Sequence, residues 1–483
     1  MSVFNELEPK LLWSFFDEIR QVPRPSKKEG KIIAYLKVTG EKLGVETTVD
    51  SAGNVIMRKA ATAGKEKSPA VILQAHVDMV CEKNSDVNHD FENDPIDIFI
   101  EDNWLKAKGT TLGADNGIGI AAALAVLASD NIEHGPIECL FTVDEETGLT
   151  GAAALGASAL KGSVLLNLDS EEDGEIFIGC AGGIDTVATL AYTPAMAPKN
   201  YFWANLSVKG LKGGHSGDDI EKGLGNANKI LNRFLWRQAR KTELRLADFN
   251  GGNLRNAIAR EAHALIGIPF DQKEQLRIDF NHYITDVEGE LLLKEPGICL
   301  ELESDDAPAT VVDKKTSDLL LNALCACPHG VIRMSDELPG LVETSTNLAS
   351  VKFDGNNNIV VTTSQRSSIE SAKHNVAAMV NSVFTLAGAS VKHGEGYPGW
   401  KPNPNSPVVK VTVDAYERLF GNVPHVRAIH AGLECGLFLE KYPHWDMVSF
   451  GPTIRGAHSP FERLDIEATR KFWQLLVEVL KEL

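Results

Sequence analysis

In five places along this chain a carboxylate or an imidazole stands at or just beyond the end of an apolar run. They are His76 in VILQAHVDMV, Asp115 in GADNGIGIA, Glu145 and Glu146 in LFTVDEETGL, Asp169 in VLLNLDSEEDG, and His458 in GAHSPFE. Carboxylate oxygen and imidazole nitrogen suit borderline divalent cations such as Zn²⁺. Two such ions can lower the pKa of an attacking water and stabilise both the entering and the leaving atoms. The set points to a two-metal hydrolase.

Each segment also has a plainer reading. HVD at 76–78 places Asp78 two residues beyond His76, on the same face of a strand, where it can orient the ring; HxD also occurs by chance. Asp115 precedes a helix and would serve there as an N-cap, a role compatible with bridging two cations. Glu145 and Glu146 would repel at a strand end unless cations offset them. Glu146 suits a ligand and Glu145 a general base; the alternative is a solvated acidic turn, disfavoured by the apolar IECLFTV before it. Glu171, Glu172 and Asp173 read as solvated surface charge. A single late histidine such as His458 is an ordinary surface or core residue unless taken with the set.

GGHSG at 213–217 frees His215 to reach into a cleft and donate to a developing oxyanion; the alternative is a glycine turn. Asn256 in GGNLRNAIAR and Arg366 in TTSQRSS suit the carbonyl and carboxylate of a peptide, arginine as a two-pronged clamp, although one Asn or Arg on a strand is ordinary. The glycines of GCAGG (179–183) and AGLECG (431–436), Gly432 among them, suggest close backbone approach to substrate.

The elements that must position these groups follow from periodicity. Residues 6–22 and 28–44 read as amphipathic helices. NVIMRK, AVILQA, IECLFTV and VLLNLD read as short apolar strands around the Ala-rich helix DNGIGIAAALAVLAS. This alternation predicts an α/β layer with a mixed, mostly parallel sheet, in which ligands gather at the carboxyl ends of strands. From about 185 the pattern becomes α+β, with strands and helices in a β-α-β-β-α-β order that then repeats through 313–397 without sequence identity. YPGWKPNPNSP marks a boundary, after which helices alternate with the strands HVRAIHA and DMVSF. A discontinuous catalytic domain, 1–184 with 398–483, carrying an inserted lid at 185–397, is the predicted organisation. His458 requires the final segment to rejoin the first.

The 483 residues imply at least two domains. A net charge of −18 disfavours nucleic acid and anionic membrane surfaces as partners. No apolar run is long enough to span a bilayer, and MSVFNELEPKLLWSFFDEIR lacks the pattern of a signal peptide. Seven scattered cysteines without a CxxC fit a reduced, cytoplasmic setting.

The order HxD, ADNG, DEETG, LDSEE, GCAGG, GGHSG and GAHSP resembles the M20 family of metallopeptidases over essentially the whole chain. The resemblance implies a zinc-peptidase-like two-domain fold and two divalent ions per chain, Zn²⁺ first, with Co²⁺ or Mn²⁺ as alternatives. His76, Asp115 and Asp169 are then ligands of one or both metals, with Asp115 bridging. Glu146 and His458 hold the second metal, Asp78 orients His76, and Glu145 is the base. His215, Asn256 and Arg366 match lid residues that contact substrate and transition state. The enlarged lid and the YPGWKPNP segment resemble the branch that hydrolyses dipeptides, Xaa-His among them. An N-acyl amino acid deacylase or a tripeptidase of the same family, and a non-catalytic binding protein, are the rival readings. A homodimer is the expected assembly, although a doubled lid could replace the partner within one chain.

Overall fold

The computed structural model describes Phe4 and residues 6–483. Part of the segment read as lacking a leader, residues 1–3 and 5, lies outside the described residues. The chain divides into two compact units, Met1–Gly179 with Trp400–Ala428 and Leu433–Leu483, and Cys180–Gly399 with Ile429–Gly432.

The first unit is built on an eight-stranded sheet. Its order is Glu46–Val49, Val55–Lys59, Ile137–Thr142, Val71–His76, Val164–Asn167, Asp446–Ser449, Glu175–Cys180 and His425–Ile429. Ile137–Thr142, Val71–His76, Val164–Asn167 and Asp446–Ser449 run parallel to one another, and Asp446–Ser449 is antiparallel to Glu175–Cys180. The Val55–Lys59 and Glu46–Val49 pairings are antiparallel. Every residue of Val71–His76 and of Ile137–Thr142 is buried, as a parallel strand covered on both faces must be. The Ala114–Ala128 helix is buried on nearly every side, which its alanines and glycines permit, and it packs against Lys10–Ile19. Register places His76 beside Thr142 and Gln74 beside Asn167, so the strands stop together and their carboxyl ends form one rim. A separate four-stranded sheet joins Ile98–Glu101 and Trp104–Ala107 to Arg463–Asp465 and Ile454–Arg455, tying the segment around His458 to the first part of the chain.

The second unit is built on a nine-stranded antiparallel sheet, eight strands in one path and Gly330–Met334 paired beside it with Val342–Phe353, and also holds the two-stranded pair Pro194–Met196 and Thr310–Val312. The first β-α-β-β-α-β copy is Tyr201–Lys209, helix Ala227–Gln238, Arg245–Gly251, Ala262–Pro269, helix Lys273–Leu291 and Cys299–Ser304. In the sheet these strands lie fourth, first, third, second. The sheet continues with Val342–Phe353, Asn358–Ser367, Gly182–Ala191 and Ser390–His393. This is the same order reversed, and the second copy takes its first strand from Gly182–Ala191. The two copies therefore meet through equivalent strands, at Gly251 and Val351, about a local pseudo-dyad. The expected start of the lid at 185 falls inside that strand. One apolar cluster runs under both copies, including Phe234, Phe280, Leu320 and Phe384.

Candidate active site

His76 ends its buried strand, and its Nε2 lies 2.9 Å from Asp115 Oδ1 and 3.2 Å from Asp169 Oδ1. On its other side Nδ1 is 3.4 Å from Asp78 Oδ1. The Asp78 carboxylate accepts from Glu145 N at 3.0 Å, Glu146 N at 3.2 Å and Ser26 Oγ at 2.7 Å. Asp78 thus holds both the imidazole and the start of the Glu145–Gly148 turn. His458 Nε2 stands 3.1 Å from Asp115 Oδ2 and 3.0 Å from Glu146 Oε2.

Three trios have donor atoms within 4.8 Å of one another: His76, Asp115 and Asp169; Asp115, Glu146 and His458; and His76, Glu145 and Glu146. Asp115 belongs to the first two, one oxygen facing each imidazole. Its side chain does not cap the helix. The cap position is Gly113, with no side-chain cap bond, and both Asp115 oxygens face the imidazoles at the rim instead of the helix N–H groups.

The donor set suits cations. Glu146 Oε1 is buried with no hydrogen-bond partner, a costly state for a carboxylate oxygen unless a cation meets it. Burial pushes Asp169 up to about 6, with Asp115 and Glu146 adding to the rise against His76. Burial, with Asp169, Glu434 and Glu146 nearby, raises Glu145 well above the carboxylate range, although His76 opposes it. Hydrogen bonds donated to Asp115 and Glu146 carry His458 up to about 11. His76 is raised too, burial being outweighed by Asp169, Asp115 and Asp78. The imidazoles draw protons to offset crowded negative charge, the same deficit that two divalent cations would meet. Asp78 is held down at about 2 by His76, Ser26 and the Glu145 N–H, against its burial.

Several supporting residues carry no motif. Fully buried Glu434 accepts from Gln74 Nε2 at 2.6 Å and Thr142 Oγ1 at 2.7 Å beneath the rim, and burial pushes it up to about 8. Gln74 accepts in turn from Asn167, and Asn167 from Ser449. Buried Arg24 donates to Val77 O at 3.1 Å, Asp78 O at 2.8 Å and Gly113 O. A further acidic trio, Glu29, Asp78 and Asp144, is also close-set. Its oxygens accept from Lys27 N, Asp144 N, Thr147 Oγ1 and Thr150 Oγ1, so those carboxylates are occupied as anchors. The acidic run after Asp169 is not simply solvated: Asp173 accepts from Lys471 at 2.8 Å and Tyr416 at 3.1 Å, and burial pushes Glu171 up to about 8.

Within the second unit, His215 Nε2 lies 3.5 Å from Arg366 Nη2. His215 Nδ1 accepts from Gly217 N at 3.4 Å and Asp218 N at 3.3 Å, and lies 3.2 Å from the Asp218 carboxylate. Buried Arg366 donates to Ser216 Oγ at 3.3 Å and Tyr397 Oη at 3.0 Å. Ser216 N donates to Asn256 O at 2.8 Å. Asn256 itself is exposed, in the loop between Arg245–Gly251 and Ala262–Pro269. A Cβ at Gly432 would stand 2.8 Å from the Tyr397 ring, so glycine is required for the close packing there. His215 and Asn256 come from one copy of the repeat and Arg366 from the other. The unit brings His215 and Arg366 together and ties the Asn256 backbone to them through Ser216.

Comparison with known proteins places the family and the fold. The model of peptidase family M20/M25/M40 matches residues 72–482. The cytosol non-specific dipeptidase of Escherichia coli (strain K12) is 47% identical over 483 residues, covering 100% of this chain and 99% of that protein. The crystal structure of aminoacylhistidine dipeptidase from Vibrio alginolyticus superposes with a TM-score of 0.93 at 47% identity, covering 100% of this chain and 98% of that one. A tripeptidase from Staphylococcus aureus, at 18% identity and a TM-score of 0.57 over 99% of this chain and 98% of its own, shares the fold.

Proposed function

The chain belongs to peptidase family M20/M25/M40, and from that premise we propose that it is a two-cation dipeptidase that hydrolyses dipeptide amides, Xaa-His among them. The observation that carries the reading is Asp115, one carboxylate shared by two donor trios. His76, Asp115 and Asp169 would hold one ion, and Asp115, Glu146 and His458 the other, with Zn²⁺ preferred and Co²⁺ or Mn²⁺ accepted. When bound, the pair supplies positive charge that acidifies water and polarises the scissile carbonyl.

The protein's own groups do the rest. Asp78 fixes the His76 ring. Glu145, which shares the His76 and Glu146 cluster but not the Asp115 trios, takes the proton of the attacking water and returns it to the leaving amine. His215 donates to the oxyanion. Arg366 pairs with the substrate carboxylate, Asn256 binds a peptide carbonyl, and Gly432 lets backbone approach.

The 47% relatives are named for dipeptide substrates, which favours this reading over a tripeptidase or an N-acyl amino acid deacylase. Hydrolysis rates on Xaa-His dipeptides, N-acetyl amino acids and tripeptides separate the three. Preference for either of the latter would overturn the assignment. No helix among the described residues is long and apolar enough to cross a membrane. A relative named for the cytosol favours a cytoplasmic enzyme, and the net charge of −18 disfavours nucleic acid and anionic membrane surfaces as partners. A second copy of the chain is the proposed partner, to be tested by sedimentation; His215 and Arg366 already meet within one chain.

A further inference from the structure

Glu462 is 3% exposed, and neither the motifs nor the chemistry above uses it. Its partners are four successive backbone N–H groups. Oε2 accepts from Leu112 N at 2.7 Å and Gly113 N at 3.0 Å, and Oε1 accepts from Ala114 N at 2.7 Å and Asp115 N at 3.3 Å. The carboxylate takes the place a capping side chain would have at the start of Ala114–Ala128. Buried Arg24, which donates to Gly113 O, supplies the nearby positive charge.

The other end of the same residue holds His458. That ring is 52% exposed, so packing does not fix it. Its backbone is left-handed, φ 62°, which a side chain disfavours. The turn is kept by Ser459 Oγ donating to Gly456 O at 2.6 Å, Phe461 N donating to Ser459 Oγ at 3.3 Å and Glu462 N donating to Ser459 O at 3.0 Å. One buried carboxylate therefore spans from the turn carrying His458 to the backbone of Asp115. His76 and Asp169 stand on or directly after strands that Glu462 does not touch.

We propose that Glu462 is a positioning residue that sets the spacing of His458 and Asp115, and so selectively governs the cation position formed by Asp115, Glu146 and His458. The proposal rests on those three being ligands. The full-length chain, stripped of metal, is titrated with Co²⁺ and followed by visible absorption and calorimetry, with no activity readout needed. Glu462→Gln keeps the side chain's shape but turns an amide nitrogen toward two N–H donors. One of the two Co²⁺ ions is expected to bind about 10- to 100-fold more weakly, as when an outer partner of a ligand is lost, while the other is held as in the wild type. Ser459→Ala, which loosens the turn without disturbing a buried charge, should weaken the same ion less, and this variant carries the test if Glu462→Gln does not fold. On a His458→Ala background, Glu462→Gln should cause no further loss. If His458→Ala loses one ion while Glu462→Gln and Ser459→Ala bind both normally, or weaken both equally, the positioning role is overturned and the ligand reading stands. If His458→Ala itself binds two ions normally, the ligand reading fails.

Discussion

Protonation of His430 is expected to destabilise the second unit as the solution is acidified. The ring is buried, its Nε2 2.7 Å from Ser345 Oγ. Burial, helped by the charge of Arg366, holds its pKa down at about 4, while Asp218 and the Val342 backbone pull the other way. An unfolded histidine takes up its proton near 6.5. Between these values the unfolded state binds the proton and the folded state does not. The contribution is fully present above about 6.5, falls by up to about 1.4 kcal/mol per pH unit below it, and is lost by about pH 4, a total of about 3 kcal/mol. Burial holds His329 at about 4 and lowers His134 as well, so the wild type loses stability through more than one group in this window. The contribution of His430 is isolated by comparing urea unfolding of wild type and His430→Gln from about pH 7 to about pH 4.5, the variant losing less stability over the interval. Selective ¹³C-histidine NMR reads the same pKa directly. Arg366→Ala should raise it, because one of its causes is removed. A His430 that titrates near 6.5, or a variant whose stability falls as steeply as the wild type's, would refute the reasoning.

Three further outcomes are expected. Chelation should abolish hydrolysis, and Zn²⁺, Co²⁺ or Mn²⁺ should restore it with about two ions per chain by elemental analysis; full activity in a rigorously stripped sample contradicts this. Glu145→Gln should keep both ions and lower kcat by about 10²- to 10⁴-fold, whereas loss of metal content would mean that the two glutamates have exchanged roles. Arg366→Ala should raise KM chiefly for substrates with a free carboxylate, so amidating the substrate's C-terminus should cost the wild type much and the variant little; equal losses would exclude a carboxylate clamp.

Much of the first unit is readable from local pattern. Apolar runs such as VILQAH and IECLFTV become buried parallel strands, and the ionisable residues at or just beyond their ends are those that gather at the rim. The strand Gly182–Ala191 was not legible, because the glycines of GCAGG read as a substrate loop and hid the alternation that follows. That is why the expected boundary at 185 falls inside this strand, which supplies the first strand of the second copy. Asp115 read equally as a cap, since its residue type suits one; only the placing of its side chain, one oxygen toward each imidazole, separates the readings. Glu462, Arg24 and Glu434 gave no local signal. Each is an ordinary residue type whose partners, such as Leu112 for Glu462 and Gln74 for Glu434, lie far away in the chain.

Their common role follows from where the backbone is under strain. Left-handed non-glycine residues flank the rim at Lys27, Asp144, Leu149 and His458, and each such conformation costs on the order of 1 kcal/mol or more. Such geometry persists only where surrounding bonds over-determine it. Beside three of these residues stands a buried carboxylate that binds backbone N–H groups. Glu29 accepts from Lys27 N and Asp144 N, Asp78 from Glu145 N and Glu146 N, and Glu462 from the Leu112–Asp115 turn. The N–H bonds favour the charged form against burial, which still raises Glu29 and Glu462 and is outweighed only at Asp78, and a carboxylate held this way fixes a loop more rigidly than a side chain reaching into solvent. The site thus uses acids in two ways: those with unoccupied oxygens face one another at the rim and call for cations, and those with occupied oxygens hold the loops that bring them there. Replacing an acid of the first kind should change metal content directly. Replacing one of the second kind should change it through geometry, one position at a time.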